Sequence, residues 1–280
     1  MKKILFLMLA GCLLMPRGGA CTEKIPQAIG DIAVLYDKTI KGFAHPESVA
    51  FEPHEKVLYV GQFGPLLRPT FKDGKGKISK VSLTGRVMVD RFLPDRGDVL
   101  NKPKGIHVKG SRLWVTDIDV VWVFDLKTRR GRKVRLPGAK FANDPVVVRN
   151  MLFVSDTMAG LIYRVEPADF LEPGIDPKVG VFSSGLAFGP NGLCRAKRGF
   201  LYVVGYDMGG KDRGIYSVDA GGGVKPITKD IGMLDGIAQL RDGTLLVTDW
   251  KSRSLFRWSR EEGQEILARG FQGPADFCLV

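Results

Sequence analysis

One short pattern recurs six times along this chain: a turn, then an apolar strand. The segments are Pro46-Glu47-Ser48-Val49, Pro103-Lys104-Gly105-Ile106, Ala142-Asn143-Asp144-Pro145, Pro190-Asn191-Gly192-Leu193, Leu234-Asp235-Gly236-Ile237 and Pro274-Ala275-Asp276-Phe277. A second strand follows the first five, as in Leu113-Trp114-Val115-Thr116-Asp117 and Leu152-Phe153-Val154-Ser155-Asp156. A third follows that, as in Ile162-Tyr163-Arg164-Val165, and a more variable fourth closes the unit, as in Arg86-Val87-Met88-Val89. These runs are short, β-branched and aromatic, and bounded by Gly, Pro and Asp, which marks them as strands. No stretch holds a helical period for long. The turns recur at intervals of about 40–57 residues, the range of four-stranded propeller blades. The 35 glycines suit a chain with many tight turns. The expected fold is all-β, a six-bladed β-propeller spanning residues 30–280, a closed ring that avoids long exposed edges.

Two units carry inserts, at 63–75 and 207–214, both expected on the rim where the first strands begin. The segment 31–36 is expected to be the outermost strand of the closing blade. The last unit stops at Val280 after its inner strand, so an incomplete last blade is expected there.

Within a repeating frame, the second residue of each turn does not repeat. It reads Glu47, Lys104, Asn143, Asn191, Asp235, Ala275. Four of these six are carboxylates or carboxamides. Inner strands converge on the central channel, so these oxygen donors are expected at one mouth of it. Such a set suits a hard divalent cation, Ca²⁺ first, with Zn²⁺ or Mg²⁺ as alternatives. Turn chemistry alone also favours Asn and Asp, which bond their own backbone. Asp117, Asp156 and Asp249 end the second strands, and here the residue does repeat, so a turn-capping role is expected. Asp144 and Asp276 could each reach the mouth. Lys104 places a cation in the ring, to bind a substrate carboxylate or to pair with Glu47. His45 beside its proline turn and His54 read as surface residues, and the strand parity of His107 directs it away from the mouth.

The N-terminus has the form of an export signal, residues 1–20: Lys2-Lys3, an apolar stretch from Ile4 to Pro16, and the small-residue region before Cys21. Lipid attachment at Cys12 or Cys21 is the one membrane association expected. Periplasmic or lipid-anchored placement in a cell envelope follows. Cys194 and Cys278 read as buried thiols. The net charge of +12 is spread through turns and strand exteriors without a clustered face, so no nucleic-acid partner is expected. A monomer acting on a small molecule is.

Glu47, the Phe-Ala-Asn-Asp turn at Asn143, Asn191-Gly192-Leu193 and Asp235-Gly236-Ile237 together resemble the gluconolactonase / senescence marker protein / luciferin-regenerating enzyme family. The first turn departs from that pattern, reading Pro-Glu-Ser where the family tends to have Glu-Gly-Pro. The resemblance implies a six-bladed propeller holding one catalytic divalent cation on Glu47, Asn191 and Asp235. Asn143 would assist coordination or bind substrate. The implied activity is hydrolysis of sugar lactones or related esters, with Asp235 as general base. The alternative is a non-catalytic propeller of the NHL type, binding a small ligand or protein partner in the envelope.

Overall fold

The computed structural model describes residues 39–280, apart from 96 and 198. The signal segment, Cys12, Cys21 and the strand expected at 31–36 lie outside the described residues. No described helix is long and apolar enough to cross a membrane.

Twenty strands form five antiparallel sheets of four. The first sheet is β1 (Pro46–Glu52), β2 (Val57–Gln62), β3 (Lys77–Ser82) and β4 (Val87–Leu93). The second is β5 (Pro103–Lys109), β6 (Arg112–Asp117), β7 (Val120–Asp125) and β8 (Gly131–Arg135). The third is β9 (Ala142–Val148), β10 (Met151–Asp156), β11 (Leu161–Glu166) and β12 (Lys178–Ser183). The fourth is β13 (Pro190–Arg195), β14 (Leu201–Gly205), β15 (Ile215–Val218) and β16 (Val224–Pro226). The fifth is β17 (Leu234–Gln239), β18 (Leu245–Asp249), β19 (Ser254–Ser259) and β20 (Gly263–Arg269). In every sheet the strands pair in chain order, and β1, β5, β9, β13 and β17 neighbour one another in that order. This is a β-propeller of four-stranded blades.

The described residues make five such blades, not the six expected from six turns. The sixth turn leads into residues 274–280, which form no strand ladder. That segment still lies between the fifth and first blades. Phe277 packs with Leu246 and Leu255 of the fifth, while Cys278 and Val280 pack with Val49 and Leu58 of the first. Asp276 N–H donates to Glu47 O at 3.2 Å.

The core is divided among the spaces between blades, because alternate side chains of each strand point to opposite faces. On β6, Leu113 and Val115 pack against the first blade, while Trp114 packs against the third. Phe153 lies with the fourth blade's Leu193 and Val203, whereas Leu152 and Val154 face the second blade. Burying one such large apolar side chain contributes roughly 1.5–3 kcal/mol.

Hydroxyls at the next-to-last position of β6, β10 and β18, and one on β1, join successive blades. Ser155 Oγ donates to Asn191 O at 2.6 Å and Thr248 Oγ1 to Ala275 O at 2.8 Å. Thr116 Oγ1 makes the same bond to Asn143 O, and Ser48 Oγ supplies it to Lys104 O. Each bond occupies the carbonyl of a turn residue in the next unit.

Candidate functional site

The inner strands are bulged where the turns meet the channel. In the first blade Pro46 pairs with Gln62 and Ser48 with Gly61, which leaves Glu47 as the extra residue. Register shifts recur between Pro103 and Ile106, in β9 after Ala142, between Pro190 and Leu193, and between Leu234 and Ile237. A bulge re-aims the side chain it carries. Here it accounts for how a repeated frame can present a varying residue at one place.

Close packing of the bulges restricts what may follow them. A Cβ on Gly192 would stand 2.2 Å from Asp235 O, and one on Gly105 would stand 2.5 Å from Pro145 Cδ. Glycine is therefore required there by approach distance, even though neither residue has a positive φ.

Glu47, Asn143, Asn191, Asp235 and Ala275 line one partly enclosed cavity of about 100 Å³. The structure thus gathers five of the six turn positions. Asn143, Asn191 and Asp235 are buried, and Glu47 is half-buried. Asp235 Oδ2 accepts from Trp250 Nε1 at 2.7 Å, and the Asn191 carboxamide also hydrogen-bonds Asp235. Asn143 Nδ2 donates to Thr157 Oγ1 at 3.1 Å, which in turn donates to Pro190 O at 3.0 Å.

Two side-chain oxygens here are buried without a partner: Glu47 Oε2 and Asn191 Oδ1. Unpaired buried acceptors are rare and costly. Together with Asp235 they make an oxygen donor set that fits a hard cation. Among the described residues no group of three or more His, Cys, Asp or Glu side chains is arranged to hold a metal. The set at the mouth would count as two of these, Glu47 and Asp235, completed by carboxamides.

The sixth position, Lys104, is fully buried and does not line the cavity. Its ammonium donates to Pro69 O at 2.9 Å and lies 4.2 Å from the Phe141 ring centroid. It forms no salt bridge with Glu47 among the described residues. Lys102 is equally buried, donating to Phe63 O at 2.9 Å and pairing with Asp73 at 2.7 Å. Both lysines thereby hold the 63–75 insert over the mouth, where Phe63, Leu67 and Pro69 wall the cavity.

Four buried carboxyls influence one another: Glu47 and Asp235 line the mouth, whereas Asp144 and Asp276, which follow the bulge positions, line the opposite side with His107 and do not reach the mouth cavity. Burial, more than any other cause, raises the pKa of each. Asp235 is pushed up to about 7, against the opposing bonds from Trp250 and Asn191. Asp276 is pushed up to about 8 by burial, with Asp235 adding to the rise. Glu47 is raised by burial and then by Asp235 and Asp276, with Lys104 opposing. Asp144 is raised by burial and Asp276, although Leu193 N–H donates to its Oδ2 at 2.6 Å. Burial holds the Lys104 ammonium down, to about 8.

The repeated aspartates behave differently. Asp117 accepts from Asn101 N and Lys102 N at 2.8 and 2.7 Å. Asp156 accepts from Lys140 N, Phe141 N and Ala159 N, and Asp249 from Met233 N, Lys251 N and Ser252 N. They cap turns, as their repetition implied.

Among the wall residues that sequence reasoning missed, Phe63, Thr157, Tyr206 and Trp250 form a series. Each stands one residue after the strand-end position held by Gln62, Asp156, Gly205 and Asp249. Superimposing the repeats one residue further would have exposed this second varying position. His45 also lines the cavity, held by an Nδ1 contact to Gly64 O at 2.9 Å. His107 lies outside it, 6.0 Å from the Trp114 ring and on the channel's opposite side. Cys194 and Cys278 are free and half-buried on that side.

No protein-family model matches the sequence, nor does any curated protein sequence. Solved structures do share the fold. A streptogramin B lyase aligns over 84% of this chain and 87% of its own, with a TM-score of 0.57 and 13% identity. The propeller in a nidogen/laminin complex aligns over 84% and 85%, with a TM-score of 0.62 and 16% identity. A catalytically inactive virginiamycin B lyase from Staphylococcus aureus, solved with quinupristin, aligns over 84% and 91%, at 0.55 and 14%. At these identities the likeness speaks to the β-propeller alone.

Proposed function

We propose that this mouth is a divalent-cation-dependent hydrolytic centre acting on lactones or related esters. One observation carries the reading: Glu47 Oε2 and Asn191 Oδ1 are buried, unpaired, and belong to residues lining one cavity with Asp235. Glu47, Asn191 and Asp235 would hold the cation, with Asn143 beside them. The order of acid, two carboxamides and acid that resembles the gluconolactonase family supports the same assignment. So does a six-fold reading of the ring, in which 274–280, although it forms no strand ladder, stands where the inner strand of a sixth unit would.

A cation bound there supplies the charge that polarises a substrate carbonyl. The residues of the chain do the rest. Trp250 fixes the orientation of Asp235 through its Nε1–H bond. Asp235, kept as the carboxylate beside a bound cation, would take the proton of an attacking water. Hydrolysis adds the water oxygen to the carbonyl carbon and breaks the C–O bond. The proton held on Asp235 then passes to the departing oxygen. Phe63, Leu67 and Pro69, pinned by Lys102 and Lys104, exclude bulk water from this chemistry. The leader-like residues 1–20 support an envelope location for this activity.

Calorimetric titration of Ca²⁺ into the purified protein tests the reading. One-to-one binding, abolished in Asp235→Ala, is expected, followed by turnover on a panel of lactones. Absence of binding at millimolar Ca²⁺, Mg²⁺ and Zn²⁺ would remove the hydrolase reading and leave the ligand-binding propeller.

A further inference from the structure

The mouth cavity does not end at its own walls. Thr157, Tyr206 and Met208 line it, and the same three line an open groove of about 550 Å³ between the loops of the third and fourth blades. The groove continues over Met158, Leu186 and Ala187. Met158 and Met208 are exposed there at 48% and 59%. Among the described residues no lysine or arginine lines it.

Two of its polar side chains are already engaged. Thr157 Oγ1 already donates to Pro190 O, and Asp207 pairs with Arg213 and accepts from Gly209 N. Thioether and aliphatic surface accommodates hydrocarbon, and methionine adapts to chains of varied shape. Because three residues are common to cavity and groove, one molecule can occupy both.

We propose that the substrate is a lactone or ester bearing an apolar chain, with the chain lying in this groove. This rests on the hydrolytic reading of the mouth for the reacting group, but the groove can be tested without turnover. The probes are γ-lactams carrying linear 4-alkyl chains of roughly two to eight carbons, which resist hydrolysis. Their affinity for the Ca²⁺-loaded protein is measured by calorimetry. Half-burial of each added methylene should tighten binding by about two-fold. Ala187→Trp fills the groove from an exposed position and should flatten that dependence. The slope within one variant does not depend on how much of the protein is folded. Affinity independent of chain length, an unchanged slope in Ala187→Trp, or no lactam binding at all would overturn the proposal. Turnover of the matching lactones is scored separately. A chain-length slope without turnover would sink the hydrolytic centre and keep the groove.

Discussion

Two sets of oxygen-donor positions sit at the same rim of this propeller, and their fates differ. At the ends of the second strands, Asp117, Asp156 and Asp249 each accept several backbone N–H bonds. At the inner-strand bulges, Glu47 and Asn191 keep an oxygen unpaired, and Asp235 meets side chains only, in Trp250 and Asn191. The first set spends its acceptors on holding turns in place. The second leaves acceptors free and charges raised in energy. An acid that serves the fold is saturated by its backbone, whereas one poised for a ligand is not.

The comparison breaks most visibly under paired substitution. Asp235→Ala should weaken Ca²⁺ binding by at least about 100-fold with little loss of secondary structure, read by calorimetry and circular dichroism. Asp156→Ala should do the reverse. Stranding the Lys140, Phe141 and Ala159 amides should cost about 3 kcal/mol, seen as a lower urea midpoint, with Ca²⁺ affinity retained in the folded protein. If both variants lose binding and stability alike, the two sets are not distinct.

Gly192→Ala tests whether the bulges must lie so close. A Cβ 2.2 Å from Asp235 O forces the bulge apart, with an expected loss of about 2 kcal/mol in stability and weaker Ca²⁺ binding. Full retention of both would show that the ring tolerates spreading.

The pH dependence of the metal-free protein sharpens the same contrast. Asp235 and Asp276 titrate at about 7 and 8 in the folded state, against about 3.9 unfolded. Between pH 5 and 8 the folded state binds more protons than the unfolded chain, so stability falls as pH rises. In EDTA, Tm should drop by several degrees from pH 5.5 to 8, and Ca²⁺ should remove most of that drop. A Tm that rises over this range would contradict the buried ring of acids. The smallest effect belongs to the stitches between blades. Thr248→Val, which copies Val204 of the fourth blade, should cost about 1 kcal/mol, or about 2–4 °C in Tm.

Much of the fold was legible in the residues. Alternation such as Leu113-Trp114-Val115 fixes which face of a strand meets which blade, because side-chain period in a strand is local geometry. Repetition of the turns identified a propeller, and their non-repeating position supplied five of the residues that line the cavity. It did not distinguish Lys104, whose long stem turns beneath the insert rather than into the mouth. That choice depends on Pro69 and Phe141, which are distant in sequence. Nor did the six turns make six sheets among the described residues, since a ladder needs partner strands as well as a turn.

By itself, then, the sequence determined strands, blades and the varying ring position, all set by neighbours within a few residues. Only the tertiary structure decided that bulges aim the ring inward, that Trp250 holds Asp235, and that two buried lysines pin a cover above it. Those features arise from register between strands and from contacts between blades, where the identity of a residue is not enough without the direction in which it points.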